Sequence, residues 1–394
     1  MMRESRDTAG RMARILSTII LSAFFAFPGF VSCEGTATGS QERLDPALGR
    51  KEADGRWVWY DVRHLNVEGK GWTDTDQFFH RLSAKAKGIV SDAYWKLNQQ
   101  TAGLCVRFMT DADRINLRWT LTSAELAMPF MSDTGVSGLD VYLDDGGRWR
   151  WLRVALPRSK TTEWLLADAI PDGTHKYLLY FPLYNGLESL EIGVPTGAML
   201  AKGMLQTGNG LAPVCFYGTS IVQGACASRA GMSYPAILGR RLHRPVLNLG
   251  FNGQGRMEPE LAAILAELKV AAYVIDGVPN MKPDEVAQRA EPFVITLRKA
   301  RPDTPIILLE SAGYLAGWFL PKQRSLYQPS NKALRDAYER LVAKGVTSLW
   351  YVPRESLLGA DGEDTVDGLH PSDLGFQRLA DAIEPLLRKV LKNR

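Results

Sequence analysis

The spacing of apolar residues changes near position 214, and this change constrains the fold more than any other feature of the 394-residue sequence. Beyond it, short apolar runs alternate with amphipathic segments. The runs occupy 214–217, 246–249, 273–275, 306–309 and 349–352, and the amphipathic segments lie near 234–242, 258–268, 283–300, 331–344 and 373–391. Strand–helix alternation of this kind predicts a parallel sheet covered by helices. We therefore expect a three-layer α/β/α, flavodoxin-like domain over residues 210–394, with any ligand beyond the carboxyl ends of the strands.

The part of the chain before this change has a different periodicity. In residues 115–121 and in several other short segments of 46–205, apolar and polar side chains alternate at every second position. Such alternation is typical of half-buried strands, and clusters such as the DDGG at 144–147 favour turns between them. We predict an antiparallel, jelly-roll-like β-sandwich over 46–205. Eight of the ten tryptophans lie in this half, where they serve either as core residues or as platforms for sugar rings.

The first 33 residues resemble an export signal, because an arginine-bearing start precedes an apolar run at 15–31. Cys33 follows the triplet FVS in a pattern similar to a bacterial lipobox, which predicts lipid attachment at that thiol. Cleavage with release, or an uncleaved anchor, are the alternatives. The small and polar residues 34–45 are predicted to form a linker. We expect an exported protein of the periplasm or cell envelope, or a secreted one, that meets a membrane only through this N-terminal segment.

Charge and cysteine content exclude several classes of partner. The formal net charge is +4, half of it carried by the first 33 residues, so the sequence lacks the basic surplus typical of nucleic-acid binding. The four cysteines form no paired C-x-x-C motif, and no Cys/His cluster accompanies them. We therefore predict no metal site and no cofactor. The cysteines beyond Cys33 are interpreted as buried free thiols, with one oxidised pair as the alternative.

The end of the first predicted strand offers a candidate nucleophile. Ser220 lies two residues after Gly218, where a helix is predicted to begin. The backbone N–H groups at a helix start have no intrahelical acceptor and can bind a negative charge. Val222 stands where the nucleophile elbow G-x-S-x-G requires a second glycine, so that motif is excluded. The alternative role for the serine is a helix cap.

Two further strand ends offer hydrogen-bond donors. Gly253 lies in a glycine-rich segment after the second strand, where it can present its backbone N–H. Asn280 follows Pro279 after the third strand, and an amide in this position can donate to a developing oxyanion. Turn formation is the alternative explanation for both residues.

The segment DGLHP at 367–371, just before the last predicted helix, offers a candidate base. Of the five histidines, only His370 has a carboxylate three residues before it in a loop framed by glycine and proline. Asp367 can hold the Nδ1–H of the imidazole and leave Nε2 free to accept a proton. A surface loop without chemistry is the alternative.

These segments together resemble the four sequence blocks of the SGNH hydrolase superfamily, also called GDSL esterases. Thr219 stands in place of the usual aspartate of the first block, and Pro279 and Met281 frame Asn280 instead of the usual pattern. The similarity is greatest to a subgroup with G-T-S-I-x-Q-G and D-x-x-P-N motifs and an N-terminal β-sandwich. The sandwich of that subgroup carries G-x-D-L-Y, which GLDVY at 138–142 matches.

The resemblance implies a serine esterase without a cofactor. Ser220 would be the nucleophile, with His370 and Asp367 as its base. The oxyanion hole would consist of the N–H groups of Ser220 and Gly253 and the amide of Asn280. An acyltransferase with the same triad is one alternative, a lipase is another, and a non-catalytic carbohydrate-binding protein is the alternative from a different class.

Substrate residues are predicted from position alone. The stretch 311–331 is long for a loop in a compact domain, and such loops are often functional. Tyr314 and Trp318 in this stretch are candidate substrate contacts, with packing in a core as the alternative. Arg229, soon after the nucleophile, is a third candidate, with a solvated surface position as the alternative. Export, a lectin-like sandwich and an esterase together suggest an acylated, most simply acetylated, glycan as the substrate.

Overall fold

Sixteen strands in two antiparallel sheets and one parallel sheet organise the residues described in the computed structural model, 42–204 and 210–392. The predicted signal, Cys33 and most of the predicted linker lie outside these residues. In chain order the strands are β1 (Arg50–Lys51), β2 (Trp57–Asp61), β3 (Val67–Glu68), β4 (Cys105–Thr110), β5 (Ile115–Leu121), β6 (Leu139–Asp145), β7 (Arg148–Ala155), β8 (Thr161–Ala167), β9 (His175–Tyr180), β10 (Leu187–Pro195), β11 (Leu200–Lys202), β12 (Val214–Gly218), β13 (Val246–Gly250), β14 (Ala272–Asp276), β15 (Ile306–Leu309) and β16 (Leu349–Val352).

The α-helices lie mainly between and after the strands of the parallel sheet. They are α1 (Asp92–Asn98), α2 (Asp133–Val136), α3 (Ser220–Gln223), α4 (Tyr234–Arg241), α5 (Pro259–Ala266), α6 (Pro283–Ala300), α7 (Pro321–Arg324), α8 (Gln328–Ala343) and α9 (Asp373–Leu391). In the part of the chain that the structure describes, no helix combines the length and the apolar character needed to cross a membrane.

The antiparallel strands form a β-sandwich. One sheet has the order β1-β2-β10-β5-β8, and the other has the order β11-β4-β9-β6-β7 with β3 paired to β4. The side chains that point between the sheets make one buried cluster, to which both sheets contribute, including Trp119 and Ile192 from one sheet and Phe108 and Tyr177 from the other. The alternation of apolar residues therefore does produce the predicted sandwich.

The second half forms the predicted α/β/α layers. All five strands are parallel, in the order β13-β12-β14-β15-β16. Apolar residues of α4 and α9 cover one face of the sheet, and those of α5, α6 and α8 cover the other. The fold expected from the strand–helix alternation is confirmed. The reversal of strand order beside β12 places a cleft at its carboxyl end, which is where ligands bind in sheets of this topology.

The two halves share their hydrophobic cores. Trp72, Leu82 and Tyr94, which precede or belong to α1, are buried in the same cluster as α5 and α6. On the other face of the parallel sheet, Tyr180 and Leu183 of the sandwich half are buried with α4 and α9. Residues 42–204 and 210–392 accordingly belong to one compact unit. The predicted boundary between residues 205 and 210 stays a prediction.

A buried ion pair crosses between the halves. The side chain of Asp140, on β6, is fully buried; its carboxylate accepts hydrogen bonds from Arg229 Nη1 (2.8 Å), from the backbone N–H of Gly231 (2.8 Å) and from Trp151 Nε1 (2.9 Å). Arg229 also donates to the Tyr142 hydroxyl at 2.6 Å. Asp140 and Tyr142 belong to the GLDVY segment, so this motif anchors the loop that follows the end of α3.

A second buried carboxylate lies at the end of β14. Asp276 is buried, and its Oδ2 accepts a hydrogen bond from the Tyr234 hydroxyl at 3.2 Å. Burial raises the pKa of Asp276 to about 7, and the bond from Tyr234 offsets only part of that effect. The carboxylate therefore gains or loses its proton near neutral pH in the folded chain.

The first prediction concerns the ion pair between the halves. Asp140→Asn leaves Arg229 half-buried without its anionic partner, so we expect the free energy of unfolding in urea to fall by about 2–4 kcal/mol. Asp145→Asn is the matched control, because Asp145 lies on the same strand in an exposed pair with Arg150. It should change stability by no more than about 0.5 kcal/mol. Equal effects of the two substitutions would contradict the structural role of the buried pair.

The second prediction concerns pH. Because the folded pKa of Asp276 is raised, the folded chain holds a proton that the unfolded chain has lost between about pH 4 and 7. The contribution of Asp276 to the free energy of unfolding is therefore complete at low pH. It declines as pH rises, by on the order of 2 kcal/mol between pH 5 and 7.

Urea unfolding across this pH range provides the measurement. The difference in unfolding free energy between wild type and Asp276→Asn should change steadily with pH. Asp284→Asn, which removes an exposed carboxylate at the start of α6, is the control for the loss of a surface charge. If the Asp276→Asn difference does not change with pH, the Asp276 carboxylate does not titrate near neutrality.

Candidate active site

Ser220 lies where β12 passes into α3. The Thr219 hydroxyl caps this short helix by accepting the Ile221 backbone N–H at 3.3 Å. Gly218 is required just before it, because a Cβ there would lie 2.1 Å from the backbone oxygen of Asp276. The serine is only 5% exposed, so the surrounding loops fix where its hydroxyl points.

The structure brings the three residues of the predicted triad together. Ser220 Oγ is 3.0 Å from His370 Nε2, and His370 Nδ1 is 2.8 Å from Asp367 Oδ2. A carboxylate can only accept hydrogen bonds when ionised, which assigns the imidazole proton to Nδ1 and leaves Nε2 as an acceptor for the serine hydroxyl. This is the arrangement that a serine nucleophile and its general base require.

Asp367 is held as an anion. Partial burial raises the pKa of its carboxyl, but the hydrogen bonds from the ring and backbone of His370 and from the Leu369 N–H outweigh burial and bring the pKa below its usual value. The two backbone bonds, at 2.7 Å from His370 and 3.0 Å from Leu369, both reach Oδ1. Oδ2 is therefore left to orient the imidazole.

The other predicted oxyanion donors lie in the loops that follow two neighbouring strands, β13 and β14. Gly253 is exposed in the loop after β13 and has a φ of 69°, in the left-handed region that favours glycine. Asn280 ends the 3-10 turn Val278–Asn280, and its Nδ2 donates to the Gln254 backbone oxygen at 2.7 Å. An amide nitrogen has two hydrogens, so this bond orients Asn280 and leaves one for a ligand.

The backbone donors in the same region are available to a ligand. Across residues 42–204 and 210–392, the N–H groups of Ser220 and Gly253 donate no hydrogen bond to another residue. Backbone donors at a helix start that lack an internal acceptor favour an anion. The site can therefore stabilise negative charge next to the serine oxygen.

Two of the predicted substrate residues lie in the loop beside His370. The 3-10 turn Leu315–Trp318 is fixed to the histidine loop by a hydrogen bond from the Leu315 N–H to the Gly368 oxygen at 2.8 Å. Trp318 is 80% exposed, whereas Tyr314 is half-buried. The structure thus excludes a core position for Trp318. Contact of either side chain with substrate stays a prediction.

Arg229, the third predicted substrate residue, has a different environment. Its guanidinium is bound by Asp140 and Tyr142 and lies over the Trp151 ring, 4.8 Å from the ring centroid. In the part of the chain that the structure describes, no hydrogen bond joins its guanidinium to Ser220 or His370. A structural contact accounts for this arginine, and its predicted contact with substrate remains untested.

Within the described ranges, no group of three or more His, Cys, Asp or Glu side chains is placed to bind a metal ion. Cys105 and Cys215 are buried free thiols, as interpreted from the sequence, whereas the free thiol of Cys226 is only half-buried.

Sequence reasoning missed two buried side chains that bind the backbone beside the site. Gln223, at the end of α3, is buried and bonds to the backbone N–H of Asn252. Arg81 donates to the Gly250 oxygen at the end of β13. The glutamine could have been found, because it is the Q of the G-T-S-I-x-Q-G motif, but the arginine stands in no recognisable pattern.

Comparison with known proteins agrees with this geometry. Residues 212–388 match the model of the GDSL-like lipase/acylhydrolase family, and residues 57–200 match the model for the GxDLY N-terminus of SGNH-hydrolase-type esterases. No curated protein sequence matches the chain significantly.

Solved structures resemble the chain over most of its length. A protein of Bacteroides ovatus described as a GDSL-like lipase is 36% identical, with a TM-score of 0.81 over 85% of this chain and 98% of its own. A salicylyl-acyltransferase from a tetracycline biosynthetic pathway is 18% identical, with a TM-score of 0.65 over 88% and 98%. An acetyl xylan esterase of Butyrivibrio proteoclasticus is 10% identical, with a TM-score of 0.56 over 85% and 99%.

The acyltransferase and the xylan esterase are less than 25% identical to the chain, so they show a shared fold alone. The Bacteroides ovatus protein, at 36% identity, is a relative of the chain. The chain therefore belongs to the GDSL-like lipase/acylhydrolase family of SGNH hydrolases, in the group whose N-terminal β-sandwich carries the GxDLY motif.

Proposed function

We propose that the protein is an exported serine esterase that removes acyl groups, acetyl in the first instance, from a carbohydrate. The observation that carries the proposal is the hydrogen-bonded relay from Ser220 Oγ to His370 Nε2 and from His370 Nδ1 to Asp367. The fold shared with an acetyl xylan esterase supports an acetylated glycan as the first substrate to test. The apolar run at 15–31 supports export.

In the first half of the reaction, His370 Nε2 takes the hydroxyl proton of Ser220 while Oγ attacks the ester carbonyl carbon. The carbonyl oxygen becomes an oxyanion, which the N–H groups of Ser220 and Gly253 and the Asn280 amide stabilise. When the tetrahedral intermediate collapses, the bond to the alcohol oxygen breaks. The imidazolium then gives its proton to the leaving alcohol, and an acyl group remains on Oγ.

In the second half, water replaces the alcohol. His370 Nε2 takes a proton from the water as the water oxygen attacks the acyl carbon. The same donors stabilise the second oxyanion, and the collapse returns the proton to Ser220 and releases the carboxylic acid. Asp367 stays ionised throughout and holds the imidazole in the orientation that both proton transfers need.

The third prediction tests the triad. With p-nitrophenyl acetate, the full chain should release p-nitrophenol, and Ser220→Ala and His370→Ala should each reduce kcat by about 1000-fold or more. Asn280→Ala should lower kcat by about 100-fold with little change in KM, because an oxyanion forms only in the transition state. Ser325→Ala, an exposed serine on the surface after α7, is the control and should behave as wild type.

The same assay extends to substrate class. Acetate esters should turn over faster than octanoate esters, and acetylated xylan should release acetate. A well-folded wild type that hydrolyses none of these esters would overturn the proposed function. Preference for long acyl chains would replace the deacetylase with a lipase.

Acyl transfer is the second candidate, and the shared fold of the salicylyl-acyltransferase over nearly the whole chain favours testing it. Both reactions use the same acyl-enzyme and differ only in whether water or another alcohol attacks it. Adding a sugar acceptor to the esterase assay and quantifying acylated sugar against free acid separates them. A product dominated by acylated sugar at low acceptor concentration would identify a transferase.

A further inference from the structure

Gln223 connects three parts of the molecule through one buried side chain. It is the last residue of α3, three positions after the nucleophile, and is completely buried. Its Nε2 donates to Gln100 Oε1 at 2.6 Å and to the Leu183 backbone oxygen at 2.9 Å. Its Oε1 accepts the backbone N–H of Asn252 at 2.9 Å. Gln100 and Leu183 belong to the sandwich half, whereas Asn252 directly precedes Gly253.

The partners of this amide permit only one orientation. A backbone oxygen can only accept and a backbone N–H can only donate, so the nitrogen must face Leu183 and the oxygen must face Asn252. Both ends of the Gln223 side chain are therefore committed. Because Asn252 is held in this way, the next N–H in the chain, that of Gly253, has a defined position relative to Ser220.

Other side chains of the N-terminal half support the same backbone. Arg81 is buried and donates through Nη1 to the oxygens of Gly250 (2.7 Å) and Asn248 (3.1 Å), where β13 ends and the Gly253 loop begins. The Tyr184 hydroxyl lies 3.4 Å from the Ser220 backbone oxygen, to which it donates. Burial lowers the pKa of Arg81 to about 9, so the guanidinium remains charged at neutral pH without a carboxylate partner.

We propose that the N-terminal half positions the oxyanion hole, with Gln223 and Gln100 as the positioning residues for the Gly253 N–H. This inference rests on the proposed function, in which that N–H stabilises the oxyanion. It assigns the β-sandwich a part in catalysis that does not depend on binding substrate. Since hydrogen bonds to a transition-state charge weaken steeply with misplacement, a small shift of the Gly253 loop is expected to lower kcat more than KM.

The experiment compares variants at Gln223 and Gln100 in the full chain. Gln223→Met keeps the length of the side chain but removes both hydrogen-bonding ends, so kcat for p-nitrophenyl acetate should fall about 10- to 100-fold with KM within about threefold. Gln100→Met removes one acceptor and should lower kcat about 3- to 10-fold. Gln100→Glu keeps an acceptor for Gln223 Nε2 and should restore kcat to within about twofold of wild type.

Gln99→Met is the matched control. Gln99 is the neighbouring glutamine, faces a surface cavity beside Phe78 and Phe79, and should have wild-type kcat and KM when replaced. Thermal melts report whether each variant is folded. If Gln223→Met does not fold, the two variants at the half-exposed Gln100, Gln100→Met and Gln100→Glu, still test the positioning role.

The outcomes separate the two proposals. Loss of kcat in Gln223→Met and Gln100→Met, with rescue in Gln100→Glu, supports the positioning role. Wild-type kcat in folded Gln100→Met, or a loss that Gln100→Glu does not rescue, overturns it while Ser220→Ala can still show that the esterase is real. An inactive wild type, by contrast, overturns the proposed function and this inference together.

Discussion

The close approach of three backbone segments around Gly218 is the constraint on which the rest of the site depends. A Cβ on Gly218 would lie 2.1 Å from the Asp276 oxygen, one on Gly250 would lie 2.1 Å from the Gln223 nitrogen, and one on Gly255 would lie 2.0 Å from the Gly218 oxygen. No side chain fits at any of these points. The backbone at the ends of β12, β13 and β14 can therefore meet closely, next to the residues from which the proposed oxyanion donors come.

Asp367 and His370 reach the ends of these strands from the C-terminal part of the chain. His370 lies in the loop before α9, and its bond to Ser220 joins residues 150 positions apart in sequence. Asp364 precedes His370 in the same loop and is buried. Its carboxylate pairs with Arg378 and accepts the Gly359 N–H, and these contacts hold the loop in place. The hydrogen bonds that join Ser220, His370 and Asp367 are thus supported by contacts of the histidine loop as well as by the sheet.

Much of this arrangement could be predicted because it is local in sequence. The five parallel strands are short, mainly apolar runs, and Ser220, Asn280 and the Asp367–His370 pair each follow a recognisable break in the pattern. The contacts between the halves could not be predicted, because Arg81 and Gln100 acquire their partners only on folding. Arg229 shows the same limit: its position near the nucleophile suggested substrate, whereas its partner Asp140 lies 89 residues away.

These contacts change how the β-sandwich is understood. A module that only bound substrate would share little core with the catalytic half, yet Trp72 and Tyr94 on one side and Leu183 on the other are buried against it. The GLDVY segment contributes in the same way, since Asp140 holds the loop that leads from α3 to α4. The two halves therefore form a single folded unit.

The most direct measurement is the site of covalent attachment by a fluorophosphonate, which reacts with serines activated by a neighbouring base. Digestion and mass spectrometry of the labelled chain locate the adduct. The account predicts one adduct, on Ser220, and its loss in His370→Ala. An adduct on another residue, or equal labelling of Ser220 without His370, would contradict it.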